Sequence, residues 1–265
     1  MMGPRVLTSL VGLPLILFAS YYGGAYLAFL VLAIVVIAAV ELAAMLEHGG
    51  VTVSRWVVVL AAGAFPVLVH FRGEQFFDLT FFLLLAGSAL YMVLLAARQG
   101  ATTQVLLGGM ILLWGTIYVG WSLSFLLALR ELSFASLLVA FLAAFAHDTL
   151  AFFVGRSFGR HKLAPRLSPN KTVEGAVGGL SGSVFAVVAM QPWLGISPGQ
   201  ALVLGILAGL SALLGDLTES ALKRGFSVKD SGKVLPGHGG ILDRFDGVIM
   251  TAPLIYIFLL NFTAF

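Results

Sequence analysis

The chain has 265 residues, of which 60% are apolar and only 10% are charged, and its formal net charge at pH 7 is +3. A soluble globular protein carries about 25% charged residues, so this composition excludes that class and predicts a polytopic membrane protein. The chain contains no cysteine, which excludes a disulfide framework and a thiolate metal site.

Apolar runs long enough to cross a bilayer, about 20 residues each, recur along the chain. We expect about nine spans, of which the third is short enough to be re-entrant. The first resembles a signal peptide, but no clear small-residue cleavage site follows, which favours an uncleaved helix. The spans cover roughly residues 6–23, 25–46, 56–71, 76–97, 105–129, 133–155, 174–191, 200–223 and 246–264.

The positions of lysine and arginine indicate the orientation, because these residues concentrate in cytoplasmic loops. With a cytoplasmic N-terminus, 13 basic residues fall inside and two, Arg72 and Arg130, fall outside. Ten of the 13 lie in loops 156–171 and 223–244, and without these loops the split is three to two. We expect the N-terminus in the cytoplasm and, with nine spans, the C-terminus on the opposite side.

The chain divides by pattern into a featureless N-terminal part and a polar C-terminal part. Residues 1–130 are expected to serve packing, lipid access and, in a dimer, contacts between copies, whereas residues 131–265 form the predicted catalytic region. Two GxxxG pairs predict close helix packing in spans seven and eight, although glycine is common in membrane helices generally. The pairs are Gly175 with Gly179 and Gly205 with Gly209.

The first polar cluster, residues 146–162, ends the sixth span. Asp148 lies inside that span, about two turns before Arg156, and an ionisable residue within a span is a candidate functional group. Taken alone, Asp148 is equally well explained as a structural residue paired to a neighbouring helix. His147 points to another face, and we interpret it as structural.

The second cluster, LSPNKTVEG at 167–175, joins a predicted turn at Ser168, Pro169 and Asn170 to the start of span seven. A helix N-terminus offers free N–H groups and the positive end of a dipole, both of which suit phosphate. Lys171 adds a positive charge there. Taken alone, the same residues are better explained as a simple helix cap with a lysine that reaches to the membrane interface.

The third cluster, residues 215–246, places carboxylates inside two spans. Asp216, Ser220 and Lys223 share one helix face at positions i, i+4 and i+7, and Glu219 flanks that face. A solvated loop explains the lysines of this cluster. It does not explain Asp216, which lies almost two turns inside an apolar helix.

The last span opens with Asp243 and Asp246 on one helix face. Acidic oxygen ligands, with no cysteine and few histidines, suit a hard cation such as Mg²⁺. Lysine and arginine beside a carboxylate-bound metal are suited to a polyphosphate, because metal and cations together neutralise its oxygens. The residues therefore predict a site for magnesium and a polyphosphate, with room for a second cation.

From Ser220 to Asp246 the sequence resembles the signature of the phosphatidate cytidylyltransferases, or CDP-diacylglycerol synthases. That signature comprises Ser, Lys-Arg, Lys-Asp, Pro-x-His-Gly-Gly and Asp-Arg-x-Asp at fixed spacings. The chain matches it without departure, at Ser220, Lys223, Arg224, Lys229, Asp230, Pro236, His238, Gly239, Gly240, Asp243, Arg244 and Asp246. The upstream stretches DTLAFFVGRSFGRHKLAPRLSPNKTVEG and GDLTES are also similar, so the resemblance covers roughly residues 146–246.

The resemblance implies the reaction of CTP with phosphatidic acid to give CDP-diacylglycerol and pyrophosphate, with Mg²⁺ as cofactor. It also implies an all-α membrane fold and a homodimer. We therefore expect a multi-pass protein of the inner (plasma) membrane with its active site facing the cytoplasm. The expected partners are CTP, phosphatidic acid and the lipid bilayer, and no nucleic acid.

Roles for single residues follow as expectations from the resemblance. The metal ligands are Asp216 and Asp243, with Asp246 as a further ligand or as a partner of a ligand. The cations that neutralise CTP or the lipid phosphate are Lys171, Lys223, Arg224, Lys229 and Arg244. Further substrate contacts are expected from Ser168, Ser220, Gly237, Gly239, Gly240 and Asp148. His238 either donates a proton to the leaving pyrophosphate or only orders the loop.

Two other functions stay open. A kinase that resembles polyprenol kinase would transfer the γ-phosphate of CTP and release CDP. An ion-coupled transporter would use Asp148 and Asp216 within broken helices, but it leaves the cationic, glycine-rich loop unexplained. A CDP-alcohol phosphotransferase is disfavoured, because Asp246-Gly247 does not continue as Asp-Gly-x-x-Ala-Arg.

Overall fold

A computed structural model of the chain describes residues 3–51, 53–73, 76–100, 103–232, 234 and 239–262. Nearly all regular structure in these residues is helical, which confirms the predicted fold class. The helices are α1 (Gly3–Tyr22), α2 (Gly24–His48), α3 (Arg55–Arg72), α4 (Phe76–Gln99), α5 (Thr103–Thr116), α6 (Ser122–Leu132), α7 (Phe134–Phe158), α8 (Val173–Leu194), α9 (Pro198–Gly225) and α10 (Leu242–Phe262). A π-helical turn, Ile117–Trp121, joins α5 to α6.

Seven helical segments among the described residues are long and apolar enough to cross a membrane. They are Gly24–His48, Phe81–Arg98, Thr103–Leu132, Phe134–Phe158, Val173–Leu194, Pro198–Gly225 and Leu242–Phe262. Two shorter apolar helices, Leu10–Tyr22 and Arg55–Phe71, lie where the first and third spans are predicted. The multi-pass class is therefore established, and the count of nine stays a prediction.

Large apolar side chains are exposed along these helices, among them Phe29, Leu83 and Phe185. Soluble monomeric proteins rarely expose apolar patches larger than a few hundred Å². Lipid tails, by contrast, are as apolar as these side chains and surround them at no such cost. The exposed apolar surface, like the length and composition of the helices, therefore fits a protein surrounded by lipid.

The chain divides into two compact units. Unit 1 comprises Met1–Ala128 and Gly225–Arg244, and unit 2 comprises Leu129–Arg224 and Phe245–Phe265. The polar pattern of the sequence predicts a boundary near residue 130, but it does not indicate that the loop after α9 belongs with the N-terminal helices. The roles predicted for the two parts of the chain stay predictions.

The core of unit 1 is built on α2, α3 and the π-helical turn. Helix α2 buries Val35, Ala38 and Leu42 completely. Gly120 of the π-helical turn lies against α3, where a Cβ would come within 2.6 Å of the Ala62 carbonyl oxygen. Only a residue without a side chain fits at this approach, so the turn and the packing depend on the same glycine.

Helices α7, α8 and α9 pack closely in unit 2, as the two GxxxG pairs predict. Gly175 and Gly179 approach α7, and Gly205 and Gly209 approach α8. A Cβ on Gly205 would lie only 2.6 Å from the Cα of Val184. These approaches confirm that the small residues serve helix packing.

A short antiparallel hairpin lies between α7 and α8. Its strands are β1 (Lys162–Ala164) and β2 (Ser168–Thr172). The predicted turn at 168–170 is therefore wrong, because these residues belong to β2 and the turn comes earlier, at 165–167. Strand pairing gives hydrogen-bond partners to the backbone of this polar loop, a gain that the local proline and asparagine signals do not reveal.

Candidate functional site

Three carboxylates come together in unit 2, and we call Asp216, Glu219 and Asp246 the acidic cluster. Asp216 and Glu219 lie one turn apart on α9, and Asp246 lies on the second turn of α10. One oxygen from each carboxylate lies within 4.8 Å of the others. Gly215 permits this arrangement, because a side chain there would collide with the Asp246 carbonyl oxygen.

Two lysines compensate part of the negative charge of the acidic cluster. Lys171 Nζ lies 2.5 Å from Asp216 Oδ2, and Lys223 Nζ lies 2.5 Å from Glu219 Oε2. The two lysine side chains are only 20% and 17% exposed. Water screens such pairs less than it screens surface ion pairs, so each lysine offsets the charge of its carboxylate more strongly than an exposed lysine would.

The donors of the acidic cluster fit a hard divalent cation. Such cations bind carboxylate oxygens in preference to nitrogen or sulfur, and the three oxygens are close enough to share one ion. The cluster contains two of the predicted ligands, Asp216 and Asp246. Its third member, Glu219, is a residue that the sequence analysis only places beside the polar face of α9.

A cavity of about 470 Å³ lies beside Asp216 within unit 2. It brings Asp148 and Lys171 to the same space, and one of its walls includes Phe152, which is 58% exposed. Polar groups inside the cavity therefore adjoin an apolar outer surface. The lining residues are His147, Asp148, Ala151, Phe152, Gly155, Arg156, Leu163, Asn170, Lys171, Thr172, Gly175, Ala176, Leu213 and Asp216.

His147 is buried at the wall of this cavity. Its Nδ1 lies 3.3 Å from Oδ1 of the half-exposed Asp148. Its ring also packs on Gly179, where a Cβ would lie 2.6 Å from the His147 Nε2. The contact with α8 gives His147 a packing role. The expectation that His147 points to another face than Asp148 is wrong, because its Nδ1 contacts Asp148 and its ring borders the same cavity.

The hairpin and the start of α8 anchor the backbone around Lys171. Thr172 caps α8, and its hydroxyl accepts a hydrogen bond from the N–H three residues later at 3.1 Å. Glu174 accepts hydrogen bonds from the backbone N–H groups of Arg160 and His161, at 3.0 and 3.2 Å. Lys171 is the residue before this cap, so its side chain extends from an ordered position.

Other predicted residues of unit 2 lie around the same elements. Ser168 in β2 and Ser220 in α9 are half-buried, and both stay predicted substrate contacts. Arg224 is exposed, and its Nε donates a hydrogen bond to the Leu167 carbonyl at 3.2 Å. This bond ties the end of α9 to the hairpin, a structural contact that the prediction of a cationic role does not include.

Asp243 lies in unit 1, where the loop after α9 returns to the start of α10. Its Oδ2 accepts hydrogen bonds from the Ser231 N–H at 3.0 Å, the Ser231 hydroxyl at 2.9 Å and the Gly240 N–H at 2.8 Å. Gly239 has a φ of +85°, a conformation that favours glycine. Asp243 thus holds the loop, and its role as a metal ligand stays a prediction.

The remaining predicted residues belong to the same loop region. Lys229 and Arg244 are exposed in unit 1, and their cationic roles stay predictions. His238 and Gly237 lie outside the described residues. The two alternatives for His238 are therefore those that the sequence analysis leaves open.

Two residues of interest have no role assigned from the sequence, Glu219 and Glu41. Glu219 could have been found, because it lies at i+3 from Asp216 and so shares a helix face with it. Glu41 of α2 is 3% exposed and accepts hydrogen bonds from the start of α10. Its signal was a carboxylate inside an apolar span, which is costly without a role.

Comparison with known proteins identifies similar sequences. The sequence model described as "Cytidylyltransferase family" matches residues 3–262. A phosphatidate cytidylyltransferase of Staphylococcus saprophyticus is 45% identical over 146 residues, which are 54% of this chain and 56% of that relative. One of Staphylococcus aureus is 44% identical over 151 residues, 56% of this chain and 58% of that relative. The chain spans a little over half the length of the curated relatives that it matches.

Proposed function

Because the chain belongs to the Cytidylyltransferase family, we propose that it transfers CMP from CTP to phosphatidic acid, yielding CDP-diacylglycerol and pyrophosphate. The printed names of the relatives support this choice of substrates. The observation that carries the proposal is the acidic cluster with its two lysines, beside a cavity between apolar helices.

Charge is the main obstacle to this reaction, because two polyanions must approach each other. The phosphate of phosphatidic acid is already an anionic nucleophile, so a strong base is not required. One of its oxygens attacks the α-phosphorus of CTP and forms a new P–O bond. The bond from the α-phosphorus to the bridging oxygen breaks, and pyrophosphate leaves with that electron pair. The protein must therefore supply positive charge and orientation.

The acidic cluster would hold a magnesium ion through Asp216, Glu219 and Asp246. Asp243 stays a further predicted ligand, and a second cation stays part of the proposal. When bound, a divalent cation supplies Lewis acidity and neutralises phosphate oxygens. Lys171 and Lys223, each paired to a carboxylate of the cluster, would transfer their contacts to phosphate oxygens of the substrates.

Further positive charge would come from exposed residues at the end of α9, in the loop that follows it and at the start of α10, which are Arg224, Lys229 and Arg244. Hydrogen bonds to the substrates would come from Ser168, Ser220 and the backbone of Gly239 and Gly240. Asp148 would border the substrate within the cavity. These roles follow from the family resemblance, and the position of Asp148 in the cavity wall supports its role.

We also propose nine spans with the N-terminus in the cytoplasm and the C-terminus on the opposite side of the inner (plasma) membrane. The site would face the cytoplasm, where the nucleotide is available. The exposed Phe152 at the cavity wall supports sideways entry of a lipid from the bilayer. A homodimer is part of this proposal through the family resemblance alone.

The test uses the purified chain in nanodiscs that contain phosphatidic acid, with labelled CTP and Mg²⁺. We expect the α-phosphate label to enter the lipid and the γ-phosphate label to leave as pyrophosphate, and EDTA to stop both. A γ-label in the lipid would instead identify a lipid kinase. Absence of CTP consumption by the folded protein would contradict the proposal and favour the transporter alternative.

A further inference from the structure

A buried carboxylate from α2 receives the end of the loop that follows α9. Glu41 is 3% exposed. The Ile241 N–H donates to its Oε1 at 3.0 Å, and the Leu242 N–H donates to its Oε2 at 2.9 Å. The Ser231 hydroxyl lies 3.2 Å from the same Oε2. One side chain thus contacts three donors that lie 190 to 201 positions away in the sequence.

These contacts answer a specific need at the start of α10. The first N–H groups of a helix have no acceptor within the helix, and an unpaired N–H in apolar surroundings is costly. A carboxylate is well suited there, because a helix N-terminus carries partial positive charge. Both oxygens of Glu41 accept hydrogen bonds, whereas a neutral amide has only one acceptor oxygen.

Gly240 and Gly232 bring the backbone of the loop against Glu41. A Cβ on Gly240 would lie 2.5 Å from the Glu41 Oε2 and would collide with the Ser231 hydroxyl. A Cβ on Gly232 would collide with the Glu41 Oε1. The absence of side chains at both glycines therefore allows the carboxylate to reach the main chain.

Asp243 contacts the same backbone segment as Glu41, at Ser231 and Gly240. Ser231 and Gly240 donate to its Oδ2, and the Ser231 hydroxyl lies within hydrogen-bond distance of both Asp243 and Glu41. Two carboxylates from distant parts of the sequence therefore hold one short piece of backbone. Only one of them, Asp243, is part of the signature that the sequence analysis identifies.

We propose that Glu41 is a positioning residue, which fixes residues 231–232 and 239–242. Through them it would place the predicted phosphate contacts of Gly239 and Gly240 and the predicted metal ligand Asp243. The catalytic consequence rests on the proposed function. Glu41 is buried and its oxygens accept hydrogen bonds from the loop. It therefore acts through the backbone rather than on the substrate.

The kinetic test compares Glu41→Gln with Glu47→Gln. Glu47 lies on the same helix but is 42% exposed, in a surface ion pair with Arg55. We expect Glu41→Gln to lower kcat about 100-fold, because misplacement by about 1 Å can have that effect, with little change in KM for phosphatidic acid. Glu41→Asp keeps both acceptor oxygens, so its kcat should be at least about tenfold higher than that of Glu41→Gln. Glu47→Gln should have the same kcat as the unaltered chain.

A second measurement, hydrogen–deuterium exchange, does not depend on turnover. In Glu41→Gln the amides of residues 239–242 should exchange at least about tenfold faster, while the rest of the chain keeps its protection. If the unaltered chain makes no CDP-diacylglycerol, the proposed function fails, and the exchange experiment still tests whether Glu41 positions the loop.

Three results would overturn the inference. The first is an unchanged exchange rate at residues 239–242 in Glu41→Gln. The second is faster exchange throughout the helices in both the Gln and the Asp variants, because Glu41 would then support the whole fold. The third is faster local exchange with an unchanged kcat in an active protein, which would show that the loop position does not limit catalysis.

Discussion

Carboxylates in the acidic cluster stand so close together that each raises the cost of charging the others. Asp216, Glu219 and Asp246 offer oxygens within 4.8 Å of one another, and two of the three side chains are buried. Lys171 and Lys223 offset part of that repulsion. A polar arrangement of this kind within apolar helices is expensive, which is a physical reason to assign it a function.

The first prediction concerns the negative charges of the cluster. Asp246→Asn and Glu219→Gln should each weaken Mn²⁺ binding at least about tenfold, measured by electron paramagnetic resonance, and lower kcat about 100-fold. Each change removes a charged ligand, and even partners of ligands alter affinity by about 10- to 100-fold. Tm of Asp246→Asn in detergent should not fall, because one of three like charges is removed.

Glu131→Gln provides the control, since Glu131 is exposed at the end of α6. It should leave both Mn²⁺ binding and kcat unchanged. Asp216→Asn and Asp243→Asn should also abolish turnover while leaving the protein folded. Normal Mn²⁺ affinity in Asp246→Asn would contradict the assignment of the acidic cluster as a metal site.

The second prediction concerns the positive charge that faces Asp216. Lys171→Met should lower kcat/KM for CTP about 30-fold, because a hydrogen bond to a charged group is worth about 2 kcal/mol. Lys162→Met is a matched control, as Lys162 is exposed on the neighbouring strand of the same hairpin. Steady-state kinetics at saturating phosphatidic acid would measure both. Equal effects of the two substitutions would indicate a general charge effect and contradict a specific role.

Among the elements, α9 and α10 depend on a glycine for the approach that assembles the cluster. Gly215→Ala should lower kcat at least about tenfold, because the new methyl group would collide with the Asp246 carbonyl oxygen and push the helices apart. A Cβ on Gly199 of the same helix would have no neighbour within 4 Å, so Gly199→Ala should leave kcat and Mn²⁺ binding unchanged. Kinetics together with Mn²⁺ titration would measure the effect, and normal values for both in Gly215→Ala would contradict it.

The helices could be predicted from the sequence because each corresponds to a long apolar run, and the structure has a helix at every predicted span. The interruption at Ile117–Trp121 could not, because it depends on the packing of Gly120 against the backbone of Ala62. The hairpin could not be predicted from the sequence for a similar reason. Strand pairing across the turn outweighs the local preference of Pro169 and Asn170.

The candidate site was predictable only in part, since local spacing reports contacts along one element. Asp216 was found because it is an anomaly within an apolar helix. Glu219 was not predicted as a ligand, because the polar helix face identified on α9 passes through Ser220 and leaves Glu219 beside it. The contact of Glu41 with Leu242 spans 201 positions, and no periodicity within α2 can specify such a partner.

For the whole molecule, the proposed orientation in the membrane predicts which loops are accessible from outside the cell. The chain has no cysteine, so a single introduced thiol reports its own location. In intact cells, an impermeant maleimide should label Ser197→Cys, expected outside, and should not label Arg166→Cys, expected in the cytoplasm. The lysine and arginine distribution gives the physical reason.

Permeabilised cells supply the control, because both thiols should then react. Arg166 lies in the hairpin turn and Ser197 directly before α9, and both are exposed. Labelling of Arg166→Cys alone in intact cells would reverse the proposed orientation and place the hairpin outside. Such a result would also conflict with a cytoplasmic nucleotide as substrate.

Glu41 contacts the loop after α9 largely through main-chain amides. This affects how that loop could be exchanged between related proteins. Since the carboxylate contacts backbone at Ile241 and Leu242, it is indifferent to the side chains at these two positions. A loop transplanted from a homologous chain should dock as long as glycine stands at positions 232 and 240. Compatibility of such chimeras would then be governed by one acidic residue on α2, far from the exchanged segment.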